Sequence, residues 1–258
     1  MKYNIKLKNE HDIQLLRESG RRLSEVLTAV AKEVKPGVST KYLNDFVYKM
    51  ITDMGDKPAF LNYKPFGAAY PYPGSICISV NEEVVHGIGS ADHVLEEGDI
   101  VGLDGGVNHK GMISDSARTV PVGKISKEDE DLLRVTKEAL NAGIKAAKCG
   151  NYVNDISKAI EKAIPKKYGI VKILSGHGVG YKVHEEPYVP NFDDGIKGPK
   201  LVPGMVLALE PMVNMGTDDV YLAEDGYTFI TADHKRSAHF EHTILITEGE
   251  AEVLTKYE

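Results

Sequence analysis

The sequence predicts an α+β fold in which helices pack on an antiparallel sheet. Two pairs of helical segments each precede runs rich in Val, Ile, Thr and Tyr, and this segregation of helices from strands is typical of α+β proteins. A shift of 113 residues superposes Leu43 on Ile156 and aligns the two helix pairs, which indicates a degenerate internal duplication. No linker-like stretch separates the copies. We therefore expect one domain over residues 1–258, with pseudo-twofold halves at approximately 9–125 and 126–258.

The first helix pair is predicted from apolar spacing and from end signals. Apolar residues recur at near-helical intervals from Asn9 to Val34, and the segment stops at a Lys-Pro-Gly turn. The next helix should begin at a Thr40 cap and end at Gly55, because glycine readily adopts the left-handed conformation that follows a helix. Two amphipathic helices therefore open the chain.

The second helix pair repeats this pattern. Ser126, with Asp129 three residues later, resembles a capping box, and the helix after it should extend towards Gly150. A fourth helix carries three isoleucines on one face, Ile156, Ile160 and Ile164. Strand-like runs follow the helix pairs at residues 75–80, 100–120, 202–213 and 240–247.

Composition excludes several classes of protein. The chain has 31 Lys and Arg against 38 Asp and Glu, a formal charge of -7, which argues against nucleic acid as a partner. No apolar stretch approaches the ~18 residues of a membrane helix, and no apolar run follows the N-terminal lysines. Cys77 and Cys149 form no CxxC motif, which argues against a disulfide framework or a zinc knuckle. We expect a protein of the reducing cytoplasm.

Residues 100–120 predict a β-hairpin that carries two aspartates. If the turn is centred between His109 and Lys110, Asp104 lies directly opposite Asp115. Like charges opposed at ~5 Å destabilise a sheet unless a cation lies between them. The hairpin alone leaves open a simpler arrangement, in which one aspartate caps the turn and the other is exposed.

Three further residues favour a metal site. His177 lies in a glycine-rich run, and Glu210 and Glu241 interrupt apolar strands, where an acidic residue needs a metal or a lysine partner. Four carboxylates would balance two divalent ions, and one imidazole is compatible with Mn, Fe, Co or Zn. Two-metal sites activate water and polarise carbonyl groups, so hydrolysis is the predicted reaction class.

The ordered set of candidate ligands resembles that of the type I methionine aminopeptidases, a family with the pita-bread fold and a curved antiparallel sheet. The resemblance covers nearly the whole chain. Its strongest segments are Val84 to Ile88, the 11-residue spacing from Asp104 to Asp115, Gly176-His177-Gly178-Val179-Gly180, His184-Glu185-Glu186-Pro187, Glu210 to Val213, and Glu241 to Ile244. The resemblance implies that Asp104 chelates one ion and His177 with Glu210 the other, while Asp115 and Glu241 bridge both.

The same resemblance implies catalytic roles for three side chains. Glu210 would also serve as general base, His184 would stabilise the developing oxyanion, and His86 would contact the peptide and assist the leaving amide. Taken singly, His86 would more often be a hydrogen-bonded structural histidine, and the match from Val84 to Ile88 favours the catalytic role. For His184 the simpler alternative is that the two glutamates that follow it form an ordinary surface ion pair.

The resemblance also implies a pocket for the methionine side chain. Cys77 and Tyr72 would line it, although an isolated Cys77 is also typical of a strand core. Val183 stands where the family usually has a large aromatic residue, and Tyr227 stands where it commonly has Trp. The resemblance therefore specifies the reaction more closely than the selectivity of the pocket. His239 stands where bacterial relatives often carry Gln, and it could tune the metals or be a bystander.

The resemblance implies removal of N-terminal methionine, preferably before a small second residue, with two divalent ions (Co, Mn, Fe or Zn). Its partners would be nascent polypeptide N-termini at the ribosome, bound by a monomer that itself contacts neither nucleic acid nor membrane. The alternatives are a prolidase-like enzyme that acts beside proline, which generally carries a long additional N-terminal domain, and a non-catalytic pita-bread binding protein, which would have lost ligands.

Overall fold

The computed structural model describes residues 3–257, so the outermost predicted boundaries, residues 1 and 258, lie outside the described residues. Four helices occur: α1 (Glu10–Glu33), α2 (Thr40–Asp53), α3 (Lys127–Ala146) and α4 (Val153–Ala163). The strands within this range are β1 (Lys57–Pro58), β2 (Ile76–Val80), β3 (Glu83–Val85), β4 (Ile100–His109), β5 (Met112–Pro121), β6 (Gly169–Ile170), β7 (Ser175–Gly178), β8 (Glu185–Pro190), β9 (Val206–Leu209), β10 (Met212–Asn214), β11 (Val220–Leu222), β12 (Phe229–Thr231), β13 (Ser237–His239), β14 (Glu241–Leu245) and β15 (Glu252–Val253).

The ends of α1 and α2 follow their sequence signals, with one correction. Asn9 caps α1 in a capping box with Asp12, close to the predicted start. The predicted Thr40 cap of α2 is wrong, because the extended residue Ser39 accepts the backbone N–H of Tyr42 through its hydroxyl. The Thr40 hydroxyl instead bonds the backbone of the loop that precedes β4.

Helix α3 begins as predicted, and both α3 and α4 end earlier than predicted. The capping box of Ser126 and Asp129 is confirmed. Helix α3 stops at Ala146, and Gly150, at φ 92°, belongs to the turn beyond it. Helix α4 ends at Ala163, so Ile164 is its C-terminal cap and not part of the helical stripe.

One large antiparallel sheet forms the centre of the molecule. Its strand order is β1-β4-β5-β14-β9-β7-β8, with β2 paired to β4 and β15 paired to β14. Two three-stranded sheets, β13-β10-β6 and β11-β12-β3, lie beside it. The predicted packing of helices on an antiparallel sheet is therefore confirmed.

Each helix pair buries its apolar face on the strands that follow it in sequence. Apolar side chains of α1 and α2 form a core with β2, β4 and β5. Those of α3 and α4 form a second core with β8, β9, β10, β13 and β14. The predicted division into halves accords with these two cores and stays a prediction. No helix within residues 3–257 is long and apolar enough to cross a membrane.

The β4–β5 hairpin has a different register from the one predicted. His109 pairs with Met112, so the two-residue turn consists of Lys110 and Gly111, both with positive φ (52° and 92°). A type I′ turn needs positive φ at both central positions, and glycine there favours this register over one centred before Lys110. Asp104 consequently pairs with Ala117, and Gly106 is the residue opposite Asp115.

Candidate metal centre and substrate pocket

Five neighbouring strands of the large sheet bring the candidate ligands together. Asp104 lies on β4, Asp115 on β5, Glu241 on β14 and His177 on β7, while Glu210 directly follows β9. Ala117 pairs with both Asp104 and Glu241, so these two carboxylates share one row across three strands. Because side chains alternate with a period of two, Asp115 projects from the same face as Ala117, which lies two residues further along β5.

The carboxylates converge without any basic side chain between them. Ligand atoms of Asp115, His177 and Glu241 lie within 4.8 Å of one another. One oxygen of Asp104 and one of Asp115 are buried without a hydrogen-bond partner. Among residues 3–257, no Lys or Arg forms an ion pair with any of these carboxylates. The lysine alternative is thus absent from the described residues, and the donor set fits divalent cations.

Burial disfavours the charged forms of these acids. It raises the pKa of Asp104 to about 7. Burial first, and then repulsion from neighbouring carboxylates, raises the pKa values of Asp115, Glu210 and Glu241 well above the ordinary range. A cluster of this kind requires protons or metal ions for neutrality, and the unpartnered oxygens are available to metal.

His177 is oriented as a metal ligand. Its Nδ1–H donates to the carbonyl of Gly178 at 2.9 Å, which leaves a lone pair on Nε2. That nitrogen lies 3.3 Å from Oε1 of Glu210. Burial lowers the pKa of His177 to about 3, so the ring is neutral and its Nε2 lone pair faces the Glu210 carboxyl group. A divalent cation could be bound by both groups.

A pocket opens directly above the cluster and contains every other predicted site residue. Tyr72, Cys77, Val183 and Tyr227 form its largely apolar wall, and the rings of Tyr72 and Tyr227 pack edge to face at 5.1 Å. Tyr72 donates its hydroxyl to the carbonyl of Gly87 at 2.7 Å, which orients the ring. Val183 is buried, as expected of a residue that faces a pocket and not solvent.

The two predicted catalytic histidines line the same pocket. His86 has a left-handed backbone (φ 63°), which is uncommon outside glycine, and its ring packs edge to face on Phe229. Burial lowers its pKa to about 4. His184 packs its ring against that of His177, with centroids 4.4 Å apart. Partial desolvation of the ring in the pocket lowers the pKa of His184, although the residue as a whole is exposed.

Sequence reasoning missed three residues of the wall, Phe60, Tyr63 and Pro65. The hydroxyl of Tyr63 lies 2.8 Å from Nδ1 of His184, a contact across 121 residues that no local motif predicts. His239 does not line the pocket. It is buried, exchanges backbone bonds with the Thr119 hydroxyl, and its Nε2 has no partner among the described residues.

Comparison with known proteins places this geometry in a family. The model of metallopeptidase family M24 matches residues 14–248. A methionine aminopeptidase of Aquifex aeolicus is 46% identical over 98% of this chain and 99% of its own length. The crystal structure of a methionine aminopeptidase from Thermotoga maritima superposes with a TM-score of 0.92 at 39% identity, covering 98% of this chain and 99% of that one.

A prolidase is more distant. The Pyrococcus furiosus enzyme reaches a TM-score of 0.76 at 25% identity, and the match covers 98% of this chain but 66% of the prolidase. The shared fold thus extends across enzymes of different specificity, while the full-length matches are with methionine aminopeptidases. This chain therefore belongs to metallopeptidase family M24, among its methionine aminopeptidases, and has the pita-bread fold.

Proposed function

We propose that this protein is a metal-dependent aminopeptidase that removes N-terminal methionine from proteins and peptides with a small second residue. The observation that carries the proposal is the position of the acidic cluster, which forms the floor of a pocket whose wall is apolar and aromatic. An exopeptidase needs this combination, because one side chain must be enclosed while the neighbouring peptide bond lies over the reacting groups.

Asp104 would hold one metal ion, His177 and Glu210 a second, and Asp115 with Glu241 both. When bound, divalent ions supply Lewis-acid polarisation of the peptide carbonyl and lower the pKa of coordinated water. Two ions also balance the four carboxylates. The number of ions and their identity, Co, Mn, Fe or Zn, are part of this proposal.

Glu210 is the proposed general base for proton transfer. Its side chain is 14% exposed and lines the pocket, so it can reach a peptide bound there. Its carboxylate can accept a proton during attack and return it to the leaving amine. His184 would donate a hydrogen bond to the carbonyl oxygen as charge develops there, and His86 would assist the departing amide.

The pocket wall suits a thioether side chain. Soft sulfur contacts aromatic rings favourably, and the wall offers Tyr72, Tyr227 and the thiol of Cys77. Val183 is smaller than the aromatic residue usual in the family, so the pocket should also accept a bulkier first residue. Discrimination against such residues is therefore expected to be weaker than in relatives that carry the aromatic residue.

The proposed natural substrates are the N-termini of nascent polypeptides. A monomeric enzyme would act on them at the ribosome, in the cytoplasm. The prolidase-like alternative is not favoured, because the M24 relatives that match over their full length are methionine aminopeptidases. The non-catalytic alternative is not favoured either, since all five candidate ligands are present and converge.

Metal-dependent hydrolysis of short peptides tests the proposal. The purified chain, stripped of metal and then supplied with Mn, Co, Fe or Zn, should release methionine from Met-Gly-Met. Met-Pro and Ala-initiated peptides serve as controls and should be hydrolysed far more slowly. Activity confined to Xaa-Pro or Ala-initiated peptides, or equal activity without metal, would overturn the assignment.

A further inference from the structure

Tyr63 is a pocket residue to which the proposed chemistry assigns no role. Its hydroxyl lies 2.8 Å from Nδ1 of His184, and the two ring centroids are 5.4 Å apart. Nε2 of His184 makes no hydrogen bond within residues 3–257, although the ring lines the pocket above the acidic cluster. The two nitrogens of His184 therefore have different surroundings, one facing a phenol and the other available to a ligand.

The phenol favours one of the two neutral tautomers of His184. Burial raises the pKa of Tyr63, so its hydroxyl remains protonated near neutral pH. Among the described residues the hydroxyl has no other acceptor than Nδ1. A nitrogen that accepts a hydrogen bond carries no proton, and a neutral imidazole therefore has its single N–H at Nε2.

We propose that Tyr63 is a positioning residue that holds His184 as an Nε2–H donor aimed at the substrate carbonyl oxygen. This inference rests on the role proposed for His184. Without the tyrosine hydroxyl, the ring could exchange its proton between the two nitrogens and rotate, and only part of the population would present a donor. Tyr63 would then act on the reaction through His184 and not through contact with the reacting atoms.

Both partners of this hydrogen bond are fixed by separate contacts. Tyr63 lies at the base of a loop whose ends are joined by two backbone bonds, from Asn62 N–H to the Tyr72 carbonyl at 2.9 Å and from Tyr72 N–H to the Tyr63 carbonyl at 2.8 Å. On the other side, Glu185 accepts the backbone N–H groups of Tyr181 and Lys182. The backbones that carry the two rings are thus held by contacts that do not involve substrate.

A double-mutant cycle tests the inference. Tyr63→Phe keeps the ring and removes the hydroxyl, and it should lower kcat for a Met-initiated peptide by about tenfold, the size of one net hydrogen bond, with little change in KM. In a His184→Ala background the same change should have no further effect, because the group through which Tyr63 acts is gone. Tyr188→Phe removes an exposed phenol hydroxyl from β8 and serves as matched control, with kcat unchanged.

Equal losses from Tyr63→Phe in both backgrounds, or a rise in KM at constant kcat, would show that Tyr63 acts independently of His184 and would overturn the inference. A second readout needs no activity. In the full chain with labelled histidine, the imidazole nitrogen chemical shifts of His184, assigned by their loss in His184→Ala, should report the Nε2–H tautomer. Tyr63→Phe should produce a tautomer mixture, and Tyr188→Phe should not.

The two measurements separate failure of this inference from failure of the proposed function. If wild-type His184 carries its proton at Nδ1, the inference is wrong whatever the enzyme does. If the shifts behave as expected and His184→Ala leaves kcat unchanged, the positioning contact stands and the role proposed for His184 fails.

Discussion

The buried ion pair between Lys8 and Glu185 permits a quantitative test of what holds the loop that carries Val183 and His184. Lys8 Nζ lies 2.7 Å from Glu185 Oε2, and the two side chains are 2% and 8% exposed. Lys8 belongs to the segment before α1, so the pair ties the start of the chain to this loop. Burial lowers the pKa of Lys8 against the opposing effect of its partner.

Removal of either partner leaves the other charge buried, which costs ~3–5 kcal/mol. In Lys8→Met the Glu185 carboxylate keeps two backbone donors, Tyr181 N–H at 2.6 Å and Lys182 N–H at 2.9 Å, so the loss should lie near ~3 kcal/mol. In Glu185→Leu the ammonium keeps the carbonyl of Lys6 at 3.2 Å and the face of the Tyr181 ring at 4.9 Å, but no carboxylate, and both backbone donors lose their acceptor. That loss should lie near ~5 kcal/mol.

Urea unfolding followed by far-ultraviolet circular dichroism measures these losses, since the chain has no Trp for fluorescence. The double variant Lys8→Met with Glu185→Leu should recover part of the stability, because no charge remains buried. The exposed pair of Lys49 and Asp53 on α2 provides the control, and Lys49→Met should change the free energy of unfolding by less than ~0.5 kcal/mol. The reasoning is refuted if Lys8→Met costs more than Glu185→Leu, or if neither changes the midpoint.

Three further predictions concern the site. Glu241→Ala should abolish turnover and weaken binding of both ions, whereas Asp104→Ala should mainly empty one metal site. Elemental analysis measures the metal content of each variant. Two ions per chain and normal turnover in Glu241→Ala would exclude the bridging role of Glu241. His184→Ala should lower kcat by ~10²–10³ with metal content unchanged, because it acts on the transition state; a fall in metal content would make it a ligand. Val183→Phe should raise the kcat/KM ratio of Met- over Leu-initiated peptides by ~10- to 100-fold, and an unchanged ratio would mean that residue 183 does not contact the substrate.

Local signals were sufficient for the helices. The capping box at Ser126 and the end of α2 at Gly55 were predicted from a few adjacent residues, because a cap is an interaction over three or four positions. The second helix shows the precision of such signals. Two hydroxyl residues, Ser39 and Thr40, stand side by side, and only the backbone conformation decides which one accepts the N–H.

The hairpin shows that two predicted site residues can lie on one face although the predicted register is wrong. The predicted turn was displaced, so Asp104 and Asp115 are diagonal neighbours and not directly opposed. The displacement changed the pairing by two residues, and side chains alternate with a period of two, so both carboxylates still project from one face. An error of one residue would have placed them on opposite faces.

The sequence by itself determined the residue types of the site: four acids and a histidine in apolar or glycine-rich surroundings, where unpaired charge is too costly to be incidental. Only the tertiary structure decided which of them meet. The order β4-β5-β14-β9-β7 joins positions 104 and 241 in one row, and such pairing over more than a hundred residues leaves no periodic trace in the chain. The contact between Tyr63 and His184 has the same origin, because it arises where two loops from different strands approach across the pocket.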